Sequence, residues 1–228
     1  MTIICVFRRN YKKTRQVEDR FVLDFLQKEY GENVYDILEV GSGLGRFAIK
    51  LKERTCSRIC CVEKNPDLGK MTLDKGISTF VGDLTDIKFD DETFYVIHCS
   101  HVIEHLPYPQ IADTLDLFFK MLKPNGFIII RSPLLSDKFY FDLDHIRPYP
   151  PQSILSYFSN SEQQRKSKNK IKIETIRYRR QAKIPFPYAI DGFRLMVNRL
   201  MMFLWTEICF PQSSPNGFTL ILKKWNIE

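Results

Sequence analysis

The sequence predicts a doubly wound α/β fold organised on a mostly parallel sheet. Three observations carry that expectation. From Tyr35 to Arg131, short continuous apolar runs alternate with amphipathic stretches, which is how strands read when helices cover both faces of a parallel sheet. Three glycines, Gly41, Gly43 and Gly45, stand where the first run passes into the first helical stretch. The length, 228 residues with 44% hydrophobic content, suits one core, and one domain over residues 1–228 is expected.

Each element has its own reason. Between Gln16 and Tyr30 the residues Val17, Phe21, Val22, Phe25 and Leu26 recur at helical spacing and Gly31 supplies a stop. Tyr35 to Val40 reads as a strand, Phe47 to Leu51 as a helix, and Arg58 to Glu63 as the second strand. A helix is expected to begin near Pro66, followed by strands at Ser78 to Val81 and Phe94 to Cys99. Gln110 to Leu122 has helical spacing and is broken by Pro124-Asn-Gly126, after which Phe127 to Arg131 forms a strand. Beyond Pro133 the chain turns Pro-rich and aromatic, with a short helix near Ser153 to Phe158 and a polar stretch, 159–170, of mobile-loop composition. Ile171 to Tyr178 and Gly217 to Leu222 read as the last two strands, separated by an insertion over 184–211 rich in Met, Phe and Leu.

Composition narrows the partners. Eighteen Phe and ten Tyr exclude a disordered chain, and no apolar run approaches the length of a membrane span. The net charge of +7 is concentrated: residues 160–200 hold eleven Lys/Arg against three Asp/Glu, so that segment carries +8 and all the rest −1. Six cysteines without a CxxC pair read as buried thiols. Met1 to Phe7 is short for a secretory core, and Arg8 and Arg9 follow it. A cytoplasmic location, possible attachment to a membrane surface included, is therefore expected.

The glycine cluster, Glu39-Val-Gly41-Ser-Gly43-Leu-Gly45, sits where a backbone must turn sharply and come close to a ligand at a helix N-terminus. A dinucleotide fingerprint wants a small residue at its sixth position; Arg46 stands there, which counts against a dehydrogenase. Glu63 ends the second strand 22 positions after Gly41, where a ribose-binding carboxylate belongs.

Taken in order, Asp36-Ile-Leu-Glu-Val-Gly-Ser-Gly-Leu-Gly45, Val62-Glu63, Val81-Gly-Asp83-Leu84, Ser100-His-Val-Ile-Glu-His-Leu106 and Leu122-Lys-Pro-Asn-Gly126 resemble the class I S-adenosylmethionine-dependent methyltransferases, particularly the broad group called type 11. The resemblance covers residues 35–133. It implies a Rossmann-like sheet of seven strands with the last antiparallel, and S-adenosyl-L-methionine as cofactor. It also implies that Glu39 and the loop Gly41, Ser42, Gly43 and Gly45 hold the methionine moiety, that Glu63 takes the ribose hydroxyls, that Asp83 accepts from the adenine amino group with Leu84 beside the ring, and that Ser100 lines the same pocket.

All four histidines, His98, His101, His105 and His145, fall within about fifty residues. His98 lies inside an apolar strand and reads as a satisfied core group. His101 and His105 follow the fourth strand at i, i+4, which on a helical turn places them on one face. They and His145 are the candidate catalytic bases, because imidazole titrates near neutral pH. The set His101, Glu104, His105 and His145 has the chemistry of a divalent site and is similar to the Glu-x-x-Glu-His pattern of small-RNA 2′-O-methyltransferases. His101 replaces that pattern's first Glu, so no metal ligand is assigned. Asp142-Leu-Asp144-His145-Ile-Arg147-Pro-Tyr149 resembles an element of methyltransferases that modify sugars, in which Arg147 would pair with an anion and Tyr149 stack on a ring.

The expected activity is therefore O-methylation of a small molecule or glycan precursor. The alternatives are an RNA 2′-O-methyltransferase with a His/Glu metal site and a cofactor-binding module without catalysis. The basic stretch 165–183 suits an anionic surface of phosphate-bearing substrate, lipid or RNA, and the apolar insertion 184–211 suits a core helix, a lid over the acceptor or an interfacial helix. Calorimetry should register binding of S-adenosylmethionine and none of a nicotinamide dinucleotide; the reverse would overturn the reading of the glycine loop.

Overall fold

The computed structural model describes residues 3–136, 138–159, 166–181, 185–186, 189–208 and 214–225. Seven strands form one sheet: β1 (Asp36–Val40), β2 (Arg58–Glu63), β3 (Ser78–Val81), β4 (Phe94–Ser100), β5 (Leu122–Pro133), β6 (Ile171–Gln181) and β7 (Ser214–Lys224). Their order is β3-β2-β1-β4-β5-β7-β6. The first five pair in parallel, and β7 runs antiparallel to both β5 and β6, as the resemblance implies. The chain order reverses beside β1, so the carboxyl ends of β1, β2 and β4 open on a shared crevice.

Side-chain alternation explains the two covered faces. Leu38, Ile97, Ile128 and Leu222 point to one side, where α4 (Gln110–Met121) and α5 (Pro151–Phe158) deliver Leu115, Phe118, Ile154 and Phe158. Ile37, Val96, Phe127, Ile129 and Ile221 point to the other, against Val22 and Leu26 of α1 (Ile3–Tyr30) and Phe47 and Leu51 of α2 (Arg46–Arg54). Each such fully buried side chain contributes about 1.5–3 kcal/mol. The helix α3 (Pro66–Leu73) is capped by Asn65, whose side chain accepts from the N–H of Asp67 and Leu68, and Gly69 lets it approach Val81 of β3.

Several boundaries differ from the sequence reading: β6 runs on past Tyr178 to Gln181 and β7 spans Ser214–Lys224. Helix α1 begins at Ile3, well before Gln16, because no Gly or Pro in 3–15 stops it even though the apolar repeat is absent there. Strand β5 begins at Leu122: Pro124-Asn-Gly126 interrupts the ladder, with Asn125 at φ 62° and the register passing from Phe94↔Leu122 to Val96↔Phe127, yet pairing resumes on both sides. In the stretch read as a mobile loop, residues 160–165 lie outside the described residues, while Ser167 and Asn169 donate to Asp116 at 2.6 and 3.2 Å. The insertion contains α6 (Gly192–Ile208), with 184, 187–188 and 209–211 outside the described residues. Among the described cysteines, Cys61 and Cys99 are buried as expected, Cys60 is half-buried and Cys56 is exposed, while Cys209 lies outside the described residues.

A buried charge network docks α1 on the sheet. Arg131 of β5 donates to Asp19 at 2.8 Å and Glu18 at 3.3 Å, Lys50 of α2 donates to Asp19 at 2.6 Å, and Arg179 of β6 lies 3.5 Å from Glu18. Burial pushes the Asp19 carboxyl up, but Lys50 and Arg131 outweigh it and hold the group below its usual value. Its contribution to stability is therefore present above the ordinary aspartate range and disappears as pH falls through the lower, folded-state value. Arg131→Ala should cost about 3–5 kcal/mol, read as a lower urea midpoint; an unchanged midpoint would show that α1 is held by its apolar face alone.

Candidate active site

The turn from β1 into α2 is built from residues that must sit at positive φ: 71° at Gly41, 52° at Gly43 and 67° at Gly45. The Gly41 N–H donates to the Val62 carbonyl at 2.9 Å, and Gly45 forms the N-cap of α2. A Cβ on Gly41 would lie 2.3 Å from Val102 of the segment after β4, so this glycine also serves packing between the two turns. A Cβ on Gly43 would meet nothing within 4 Å, so at this point the backbone itself faces the crevice. Ser42 between them is buried.

Glu63, at the end of β2, is buried, and each of its carboxylate oxygens accepts a backbone N–H: Oε2 from Gly43 at 2.6 Å and Oε1 from Asn65 at 2.9 Å. One carboxylate thus fixes the glycine turn to the start of α3. Glu39 is buried on β1 with Oε2 2.6 Å from His98 Nδ1 on β4, in direct register with it, and the His98 ring lies against Phe47 at 4.4 Å between centroids. Asp83 caps a short 3₁₀ turn by accepting from Thr85 N–H at 3.1 Å and faces Lys64 at 3.0 Å. The Thr85 N–H is the largest influence lowering the Asp83 carboxyl, and it prevails with Lys64 over burial. Leu84 is buried in the core beside it, and Ser100 ends β4 half-buried.

The second group follows β4. His101 has φ 57° and precedes a 3₁₀ turn, Ile103–His105, so the expected shared helical face of His101 and His105 is absent: the left-handed residue turns the chain before the helix begins. His101 Nδ1 lies 3.1 Å from Glu104 Oε1, and Glu104, wholly buried, accepts from Ser132 Oγ of β5 at 3.1 Å through its other oxygen. Burial raises the Glu104 carboxyl, but the hydrogen bond and charge of His101 outweigh it, leaving the group below the usual glutamate value. The Glu104 carbonyl accepts from Ile146 at 2.9 Å and Arg147 at 3.3 Å, which brings His145 to His105 with ring centroids 4.9 Å apart. His105 Nδ1 sits 2.9 Å from the Asp144 carbonyl, and His145 Nδ1 sits 2.6 Å from that of Phe139. A carbonyl only accepts, so each Nδ1 carries a proton, and in the neutral ring Nε2 is left with the lone pair.

Some expectations move. Tyr149 is buried and donates to the Leu106 carbonyl at 2.8 Å, which braces the loop, and with Arg147, 5.8 Å over its ring, it lines a cavity beside Ile111 and Tyr157. In the basic stretch, Arg179 faces Glu18 and Asn216, and Arg177 covers Phe21 at 4.9 Å, while Lys166, Lys168, Lys170, Lys172 and Arg180 are exposed; Arg165 and Lys183 lie outside the described residues. Sequence reasoning missed His98 as the partner of Glu39 and Ser132 as the partner of Glu104. The first was accessible in principle, since adjacent parallel strands ending together bring those two positions side by side.

The sheet order, the antiparallel seventh strand and a glycine turn closed by a carboxylate on the neighbouring strand define a class I S-adenosylmethionine-dependent methyltransferase. A family described as a methyltransferase domain matches residues 9–196, and the chain belongs to that family. Among curated proteins none matches. Of solved structures, a SAM-dependent methyltransferase from Archaeoglobus fulgidus is similar at 22% identity, with 90% of this chain and 94% of that one covered and a TM-score of 0.58. YcgJ from Bacillus subtilis is similar at 13% identity over 92% and 100% of the two chains, TM-score 0.61. Phosphoethanolamine N-methyltransferase 2 of Haemonchus contortus, solved with S-adenosyl-L-methionine, is similar at 12% identity over 90% of this chain and 52% of that one, TM-score 0.56. No described helix is long and apolar enough to cross a membrane.

Gly41→Ala and Gly43→Ala both force a side chain into a positive-φ position, a strain of about 1 kcal/mol, but only the first overlaps Val102. Thermal unfolding should therefore be lowered more by Gly41→Ala, by a further ~1–3 kcal/mol; equal effects would show that Val102 yields freely.

Proposed function

We propose that the enzyme methylates a hydroxyl oxygen of a small molecule or glycan precursor. The observation that supports this reading is the imidazole pair His105 and His145, side by side beyond the carboxyl ends of β4 and β5 with both Nδ1 atoms on backbone carbonyls. An amine acceptor brings its own lone pair, whereas a hydroxyl must lose a proton as its oxygen attacks. Two Nε2 lone pairs, with a third imidazole, His101, held on the neighbouring Glu104, suit that task.

S-adenosylmethionine, when bound, supplies a methyl group on a sulfonium. The residues of the crevice fit it: the open face of Gly43 admits a ligand against the backbone, and carboxylates suit a molecule that presents hydroxyls, an ammonium and a sulfonium charge. In this reading Glu39, Ser42 and the Gly41, Gly43 and Gly45 backbone hold the methionine part, Glu63 accepts from the ribose hydroxyls, and Asp83, Leu84 and Ser100 receive the adenine side. Glu63 keeps lone pairs for this role beyond its two backbone bonds. His98 orients Glu39 by occupying Oε2. His101, His105 and His145 engage the acceptor hydroxyl and take up its proton. The exposed Lys166, Lys168, Lys170 and Lys172 stand at the amino end of β6, on the sheet edge opposite the crevice, and give that edge a positive field suited to an anionic surface.

Labelled methyl transfer into fractionated cell extract tests the proposal: label is expected in small molecules or glycans as an ether, and label in RNA, protein or amine products would contradict it. In the same assay His145→Ala should lower turnover at least tenfold while leaving cofactor affinity unchanged, and Glu63→Ala should weaken cofactor binding by about 1–3 kcal/mol.

A further inference from the structure

The structure assigns a divalent-cation site to Glu104, His105 and His145. One ligand atom from each of the three lies within 4.8 Å of the others. Ligands of a tetrahedral ion at ~2.1 Å stand about 3.4 Å apart, so the three atoms lie about 1.4 Å or less beyond the spacing of a bound ion's ligands.

Three features of the cluster are those of a ligand shell. The tautomers are already set: the Asp144 and Phe139 carbonyls hold the Nδ1 protons of His105 and His145, leaving the Nε2 lone pairs, which is how metal-bound imidazoles are oriented. The carboxylate is held from behind, because His101 Nδ1 and Ser132 Oγ each lie 3.1 Å from a Glu104 oxygen and fix its plane. Glu104 is wholly buried whereas both imidazoles are half-buried, so one wall of the cluster is closed and the other is reachable from solvent. Three protein ligands with an open side is the arrangement of a working metal centre more than of a structural one. Asp142 Oδ2 lies 3.8 Å from His145 Nε2 on that open side and is available as a further oxygen ligand.

Two nitrogens and a carboxylate oxygen favour first-row transition ions such as Zn(II), Mn(II) or Co(II) over Ca(II). His101, which touches Glu104 and not the other two imidazoles, becomes a positioning residue. With the ion bound, the Nε2 lone pairs of His105 and His145 are taken by coordination and the ion replaces their role as bases: it draws in the acceptor's hydroxyl oxygen and makes its proton easier to lose to water on the open side. That last clause rests on the O-methylation reading; the metal site itself does not.

The test uses the full chain, stripped with a chelator and titrated with Co(II) while visible d–d absorption and heat are recorded. One saturable equivalent is expected, with affinity lowered at least tenfold by His105→Ala or His145→Ala and about 10–100-fold by Ser132→Ala, which meets the cluster through the Glu104 carboxylate. Circular dichroism checks each variant for folding, and His145→Gln replaces any that unfolds. Co(II) binding equally to the wild type and to His105→Ala/His145→Ala would overturn the site. Labelled methyl transfer with and without chelator separates the two claims. Ether formation that survives chelation, with no Co(II) bound, overturns the site and keeps O-methylation; tight Co(II) binding with label on nitrogen keeps the site and overturns O-methylation.

Discussion

The carboxylate of Glu63 is the interaction on which the crevice depends. It accepts backbone N–H groups from Gly43 and Asn65, and so ties the turn after β1 to the start of α3. Hydrogen bonds to a charged acceptor contribute about 1.5–3 kcal/mol, and these two act where the chain makes its least ordinary turns. With that tie in place the glycine backbone is held open at Gly43 and packed at Gly41, and α2 begins at a fixed angle to the sheet.

The same economy recurs around the site. Three more buried charges are matched by named side chains: Glu39 by His98 of the next strand, Glu104 by His101 in its own turn and Ser132 of β5, and Arg131 by Glu18 and Asp19 of α1. A buried ion or polar group left alone is costly, so these pairs fix which elements must be neighbours. The Arg131 network lies on the α1 face and Ser132, next to it on β5, holds Glu104. One strand therefore orients both the helix that covers the sheet and the cluster beyond its end.

Most of the fold was legible in the sequence because apolar periodicity and glycine placement are local signals. Arg58 to Glu63 and Ser78 to Val81 have the boundaries that the structure gives β2 and β3. The start of α1 was not legible, since nothing apolar repeats in its first half, and the interruption in β5 looked like an end because Pro and Gly mark both. In the site, the glycine turn and Glu63 could be read from spacing. The partner of Glu104 could not, because it arises from strand order and register; that of Glu39 follows once β1 and β4 are taken as neighbours. The i, i+4 spacing of His101 and His105 misled for a further reason: a residue at positive φ broke the helical phase on which that reading relied.

A crystal structure of the protein bound to S-adenosylmethionine tests the central claim most directly. The account predicts the methionine end against the Gly41–Gly45 turn, the ribose against Glu63, and the sulfonium methyl directed at the space before Glu104, His105 and His145. A cofactor seated away from Glu63, or one whose methyl points away from the imidazole pair, would contradict it.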